Sequence, residues 1–297
     1  MPAKTVCFES LRKFDGVNFR FLNSKEYFQI AGRAGRRGID KEGFVYSMVD
    51  RRDFDYGLMK RITGSDIEPI KSQFRLSVNT VLNLIKMHEQ KEIERILKRN
   101  FYTFQKYGRN FDKSKKGEVF YTFNNIKKKL SRMNYIQQNF LTEKGEFASR
   151  IYADEILLGE IFATDFYKKL NEYQMLMLIA CVCYEPRKRT EFYKEYPSKD
   201  TKDLFNKLGN DKYFRKNRKF NHIKELTAMV HPCYHGKDIF EIMDNTNFLE
   251  GDLIRFFRQI LDRMGQIKAA THDNVLIDML NNCQKIINDC LRDIDII

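Results

Sequence analysis

No apolar run in the 297 residues reaches the roughly 18 that a membrane-spanning helix requires. The first residues also lack the pattern of a secretory signal, so no membrane partner is expected. Six cysteines occur without the spacing of a disulfide framework, which predicts reduced thiols and a cytoplasmic setting. There is no phosphate-cradling G-x-x-x-x-G-K-[ST] loop and no D-E-x-H segment to hold magnesium and position water. No Ser/His/Asp or Cys/His arrangement supports a nucleophile. His231-Pro-Cys-Tyr-His235 offers three ligand side chains, but no second pair completes a four-ligand zinc site. Cys181-Val-Cys183 falls inside an apolar helix, where alternate residues point in different directions. Neither is read as a metal site, and Asp154-Glu155 and Asp293 with Asp295 read as solvated carboxylates.

What is present describes a folded, basic chain. Hydrophobic residues make up 42% and aromatic residues 13%, a globular composition that argues against disorder. The length suffices for two or three small domains. Lys and Arg number 53 against 40 Asp and Glu, a formal charge of +13. An excess of that size favours a polyanionic partner, nucleic acid foremost.

Patterning divides the chain into three. Residues 1–66 alternate strand and helix: a strand over Thr5–Phe8, a helix over Ser24–Ala34 with Ser24 as N-cap, and a strand over Gly43–Val49. These elements are too few for a complete parallel sheet. In residues 67–150, Val78, Val81, Leu82 and Ile85, then Ile93, Ile96, Leu97 and Phe101, recur at helical spacing. A third helix, Val119–Met133, carries Lys127, Lys128, Lys129 and Arg132. Tyr135–Leu141 with Thr142–Gly145 predicts a two-stranded wing, before a helix that starts at Glu146. Three helices and a wing are the parts of a winged helix. Residues 151–297 are helical almost throughout. Tyr173–Tyr184 reads as a buried helix ended by Glu185-Pro186. Leu253, Phe256, Phe257, Ile260, Leu261, Met264 and Ile267 form one apolar stripe, and Val275 to Ile294 another. After Tyr184 and before those stripes, Arg187–Lys219 reads as loop-rich and strongly basic, with Tyr193, Tyr196, Tyr213 and Phe214 interleaved. The expected class is mainly α, ending in a helical bundle.

Two segments carry chemistry. Gln29-Ile-Ala-Gly-Arg-Ala-Gly-Arg-Arg-Gly-Ile-Asp40 interleaves Arg33, Arg36 and Arg37 with Gly32, Gly35 and Gly38. Glycine allows a backbone to approach an anion closely. Guanidinium forks grip phosphate bidentately and stay charged at any working pH. The combination is suited to neutralising charge on a phosphoryl group during transfer. The second segment is the helix opening at Glu250, whose polar side presents Arg255, Arg258, Gln259 and Gln266.

The arginine-glycine segment resembles motif VI of superfamily-two helicases, in the form found in the superkiller-type (Ski-like) DExH-box RNA helicases. Met1-Pro-Ala-Lys-Thr-Val6 with Ser10-Leu-Arg-Lys-Phe-Asp-Gly16 is similar to the tail of that family's motif V. Ser72-Gln-Phe-Arg-Leu-Ser-Val-Asn-Thr-Val-Leu-Asn-Leu84 resembles the entry to its winged helix. Phe248-Leu-Glu-Gly-Asp-Leu-Ile-Arg255 resembles the start of its C-terminal helical (DSHCT) domain.

The resemblance implies a truncated RecA-like α/β remnant over 1–66, a winged helix over 67–150 and a ratchet-bearing helical bundle over 151–297. It implies the C-terminal portion of an ATP-dependent 3′-to-5′ RNA helicase, acting in RNA unwinding and in RNA processing or decay. Gln29, Gly32 and Gly35 would bind nucleotide, and Arg33 and Arg36 would stabilise charge on the γ-phosphoryl of ATP with Mg²⁺. Glu250, Arg255 and Arg258 would contact single-stranded RNA. Other implied partners are an N-terminal helicase half, in cis or in trans, and an exosome-like nuclease. Lys106–Gly117 bridges in about a dozen residues the place where larger members of the family carry an arch, so an arch-dependent partner is not expected. The alternative is a non-catalytic single-stranded nucleic-acid-binding remnant or scaffold, or part of a related DNA-repair helicase.

Overall fold

Asn23, rather than Ser24, opens the first helix. Its side chain accepts the Glu26 N–H at 2.9 Å while Glu26 accepts the Asn23 N–H at 3.0 Å, a complete capping box one residue earlier than the sequence suggested. The computed structural model describes residues 2–15, 18–50, 52, 55–65, 69–109, 117–187, 189–292 and 294. Met1, Gly16, Lys188, Asp293, Asp295, the 66/67 boundary and most of the bridge at 106–117 lie outside the described residues. The chain is mainly α and separates into two units, Met1–Gln73 and Phe74–Ile297.

In the first unit, β1 (Thr5–Phe8) pairs in parallel with β4 (Phe44–Ser47), and β2 (Arg12–Phe14) pairs antiparallel with β3 (Phe19–Phe21). Helix α1 runs Ser24–Ala31 and α2 Tyr56–Thr63. The expected helix to Ala34 stops three residues early, and the strand expected over Gly43–Val49 is shorter at both ends. The β2–β3 hairpin was not anticipated. Glu26 ties that hairpin to the cap: Arg20 donates to both of its oxygens at 2.8 Å, and the Lys13 ammonium lies 2.7 Å away. Those cations hold the Glu26 carboxyl well below the usual carboxylate range, the Arg20 hydrogen bonds foremost. Phe8, Leu11, Leu22, Tyr27, Ala31, Met59 and Ile62 form the small core beneath.

The second unit begins with α3 (Val78–Met87), α4 (Gln90–Lys98), α5 (Phe101–Tyr107) and α6 (Glu118–Arg132). Next comes a hairpin of β5 (Ile136–Gln137) and β6 (Phe140–Leu141), turned by Gln138 and Asn139 with φ of 49° and 67°. The wing stops there. Thr142 caps α7 (Glu143–Ser149) by accepting the Gly145 N–H at 3.2 Å, so Thr142–Gly145 starts a helix, not a strand. Asn79 and Asn83, on α3, explain their place in the Ser72–Leu84 stretch. Both donate to the Ser149 carbonyl at 3.1 Å, which the end of α7 leaves open, and Asn79 also donates to that of Ile151, just beyond the helix, at 2.7 Å.

One charged group is built into this packing. Tyr135, fully buried, donates to the Ile156 carbonyl at 2.9 Å and to Glu160 at 3.1 Å, and Lys144 meets Glu160 at 2.6 Å. The Lys144 ammonium also stands 4.5 Å from the centre of the Tyr135 ring. Glycines make room: a Cβ at Gly159 would fall 2.5 Å from the Tyr135 hydroxyl, and one at Gly145 2.1 Å from its carbonyl oxygen. Burial and Glu160 push the Tyr135 hydroxyl well above its ordinary value.

From α8 (Glu155–Phe162) onward the chain is a helical bundle. Helix α9 (Glu172–Cys183) is apolar on every side and buried along nearly its whole length, which places it at the centre. Around it stand α10 (Lys199–Asn210), α11 (Ile223–Tyr234), α13 (Glu250–Ala270) and α14 (Asn274–Cys290), with the short α12 (Ile239–Met243) beside α11 and α13. Helix α10 corrects the expected loop over Arg187–Lys219, while Val275 of the α14 stripe is exposed. His231 ends up in the last turn of α11, stacked on Tyr196 at 5.0 Å and 4.3 Å from the His235 ring. Burial, then His235, holds it below the usual imidazole value. Among the described residues no three His, Cys, Asp or Glu side chains converge as metal ligands.

Candidate nucleic-acid interface

In the first unit the arginine-glycine segment is a loop leaving α1. Gly32 ends the helix, its N–H donating to the Phe28 and Ile30 carbonyls. The Ala3 N–H donates to the Arg33 carbonyl at 2.9 Å, and the Gly35 N–H donates back to Ala3 at 2.7 Å. The two stretches chosen from sequence therefore lie side by side. Gly35 turns with φ of +82°, and Gly43 packs so closely that a Cβ there would sit 2.6 Å from the Ala34 carbonyl carbon and the Gly35 nitrogen.

The two selected arginines have different surroundings. Arg36 is held by Asp40 through Nε–Oδ2 at 2.8 Å and Nη2–Oδ1 at 3.1 Å. These bonds lower the Asp40 carboxyl to about 2. Arg33 is exposed, and among the described residues nothing pairs with its guanidinium. Gln29 is exposed on the last turn of α1.

In the second unit, α13 lays its apolar side, Leu253, Phe256, Phe257, Ile260, Met264 and Ile267, into the bundle. Its other side forms one wall of an open groove of about 590 Å³. Arg255, Arg258, Gln259 and Arg263 line it from α13, and Lys219, Cys183 and Asp154 from elements far away in sequence. Arg255 is exposed, 3.7 Å from Asp252, whose carboxylate is already taken by Arg187 at 2.8 Å. Arg258 is exposed one turn further on. Gly251 opens the groove at its N-terminal end, while Glu250 does not line it. Gln266, expected on the same side, is used internally, accepting the Tyr152 N–H at 3.2 Å and donating to Asp262 at 2.8 Å.

Sequence reasoning missed Lys219 and Arg263. Lys219 donates to the Val182 carbonyl at 2.8 Å, and Arg263 to the Ala153 carbonyl at 2.6 Å. Each braces the groove by closing an open backbone carbonyl. Arg263 carries a weak signal, standing two turns beyond Arg255 on the polar side of α13. Lys219 has none, because only the packing of α9 brings its neighbourhood to α13. Burial pushes the Cys183 thiol up to about 11, so this groove residue is not an activated nucleophile.

The family model for the DSHCT (NUC185) domain matches residues 138–294, more than half of the chain and all of α13. The chain belongs to that family. It is similar to the C-terminal region of superkiller-type DExH-box RNA helicases. Exosome RNA helicase MTR4 of Homo sapiens is 45% identical over 107 residues, 36% of this chain and 10% of that protein. DExH-box ATP-dependent RNA helicase DExH9 of Arabidopsis thaliana is 45% identical over 105 residues, 35% of this chain and 10% of its own length. ATP-dependent RNA helicase mtr4 of Schizosaccharomyces pombe is 44% identical over 105 residues, 35% of this chain and 10% or less of the relative, at 9%. The match thus spans about a tenth of these curated relatives.

Proposed function

We propose that the chain supplies the strand-gripping part of an ATP-dependent 3′-to-5′ RNA helicase that unwinds RNA for processing or decay. The observation that carries this reading is the groove along α13, where Arg255, Arg258 and Gln259 face open space from a helix anchored by seven buried apolar residues. A guanidinium plane stacks on an unpaired base and also pairs with phosphate. The groove mixes Arg255, Arg258, Arg263 and Lys219 with Asp154, Glu185 and Asp262. That mixture favours contacts with bases and sugars over a purely electrostatic phosphate track.

ATP would meet this chain at the loop after α1. Arg33 and the turn at Gly35 fit an anionic phosphate, with Gln29 and Gly32 beside them. Asp40 has both oxygens engaged by Arg36, so Asp40 is not a free ligand for Mg²⁺. Bound ATP supplies the energy; Arg33 counters charge on its terminal phosphoryl, and Arg36 braces the loop. An exosome-like nuclease is a proposed partner, suggested by the name of the human relative, exosome RNA helicase MTR4. The six cysteines are all free thiols, which supports a cytoplasmic setting.

Photocrosslinking of a single-stranded RNA to the chain, followed by peptide mapping, tests the groove assignment. Adducts should map to Glu250–Ala270. Adducts confined to the polar faces of α4 and α6 would move the grip to the winged-helix region and remove this reading.

A further inference from the structure

A strongly basic turn leads into the groove. Residues 211–217 join α10 to a short 3-10 segment, Arg218–His222. Lys212, Tyr213, Arg215, Lys216 and Arg218 all project outward and are exposed. Among the described residues none of the four cations meets a carboxylate, and Lys212 lies over the Tyr213 ring at 4.8 Å. The turn is nevertheless fixed. Phe214 is buried, with its ring 4.6 Å from Phe166 and 6.0 Å from Phe220. Asp211 accepts the Tyr213 N–H at 2.7 Å and, through its carbonyl, the Arg215 N–H at 3.1 Å.

Four like charges within seven residues repel one another, and a rigid turn cannot relax them apart. Such a surface is complementary to a polyanion. The next residue, Lys219, reaches into the groove to the Val182 carbonyl, so the turn stands at the groove's edge. Tyr213 adds an exposed π-face among the cations, a combination that suits unpaired bases on a charged backbone better than an acidic protein segment.

We infer that the turn at 212–218 is a second single-stranded RNA contact: Lys212, Arg215, Lys216 and Arg218 hold phosphates and Tyr213 stacks a base of the strand beside the portion in the groove. This rests on the groove reading above. The test uses the 297-residue chain and two single-stranded RNAs, of about 6 and about 20 nucleotides, a spread that brackets one groove and the groove plus the turn. The chain should bind the longer RNA more tightly. Replacing Lys212, Arg215, Lys216 and Arg218 together by Ala, with Phe214 kept, should leave the short RNA unaffected. It should weaken the long one by about tenfold or more and lower the slope of log affinity against log salt by about 3, at 0.7 per phosphate. Tyr213→Ala should weaken the long RNA by about fivefold or more without changing that slope.

Unchanged affinity and slope for the long RNA in the fourfold variant would overturn the inference. So would loss of polyglutamate binding with RNA binding intact, which would assign the turn to an acidic protein segment. Failure of the groove reading has a separate signature: Arg255→Ala with Arg258→Ala would leave binding of the short RNA unchanged.

Discussion

Arg36 and Asp40 close on each other through two side-chain hydrogen bonds, and the Arg36 N–H adds a third to Asp40 at 3.0 Å. Arg33, three residues earlier, has no such partner among the described residues. Two arginines that look alike in sequence therefore divide the work of one loop: Arg36 shapes it and Arg33 faces outward. In a helicase that joins this chain to an ATP-binding half, Arg33→Ala should lower ATP hydrolysis by about 10³-fold, the lower end for an arginine finger. RNA affinity should change less than threefold (about 0.6 kcal/mol). Steady-state hydrolysis and RNA titration on the same protein check both. Asp40→Asn should also lower hydrolysis, by loosening the loop, and equal loss of RNA affinity in either variant would break the assignment.

The chain on its own should not hydrolyse ATP, because it carries neither a phosphate-cradling loop nor a D-E-x-H segment. Turnover by the purified 297-residue chain, abolished by Arg33→Ala, would contradict this.

Glu26 should make the first unit sensitive to acid. Its carboxyl is held below the usual value by Arg20 and Lys13, so it contributes stability that is complete above the unfolded value, about 4.3, and is lost as pH falls towards the folded one. Thermal melts from neutral pH downward should show this loss in the native chain. Glu26→Gln should melt lower at neutral pH and depend less on pH through the acid range. A variant with the native pH profile would show that the cluster is not coupled to folding.

Removing one partner of the buried Lys144–Glu160 pair leaves the other uncompensated. Glu160→Gln should destabilise the second unit by about 3–5 kcal/mol, and Tyr135→Phe by about 1.5–3 kcal/mol through the lost hydrogen bond to the charged Glu160. Denaturant unfolding measures both, and a Glu160→Gln cost below that of Tyr135→Phe would contradict the ranking.

Helices with an unbroken apolar period were legible in the sequence: α9 sits within a residue of its expected place, α13 runs three residues past Ile267, and α14 ends four residues before Ile294. Helix α10 was not, because its polar sequence buries only Thr201, Leu204 and Leu208. Its signal was Ser198, which caps it by accepting the Thr201 N–H at 3.1 Å. The β2–β3 hairpin escaped because three-residue strands carry too few alternations to show a period. At the site, Arg255 and Arg258 were legible as neighbours on one helical face. Lys219 and Asp154 were not, since only tertiary packing joins them to α13. The difference between Arg33 and Arg36 was also hidden, because it depends on how Asp40 folds back.

The central claim is that α13 grips single-stranded RNA through Arg255 and Arg258. Its most direct test is the affinity of the chain for a short single-stranded RNA, with Arg255 and Arg258 native or both replaced by Ala. The account predicts at least a fivefold loss, since a single stacked base contributes about 1–3 kcal/mol, with the melting temperature unchanged because neither side chain is buried. Equal affinity of the two proteins, at native stability, would contradict it.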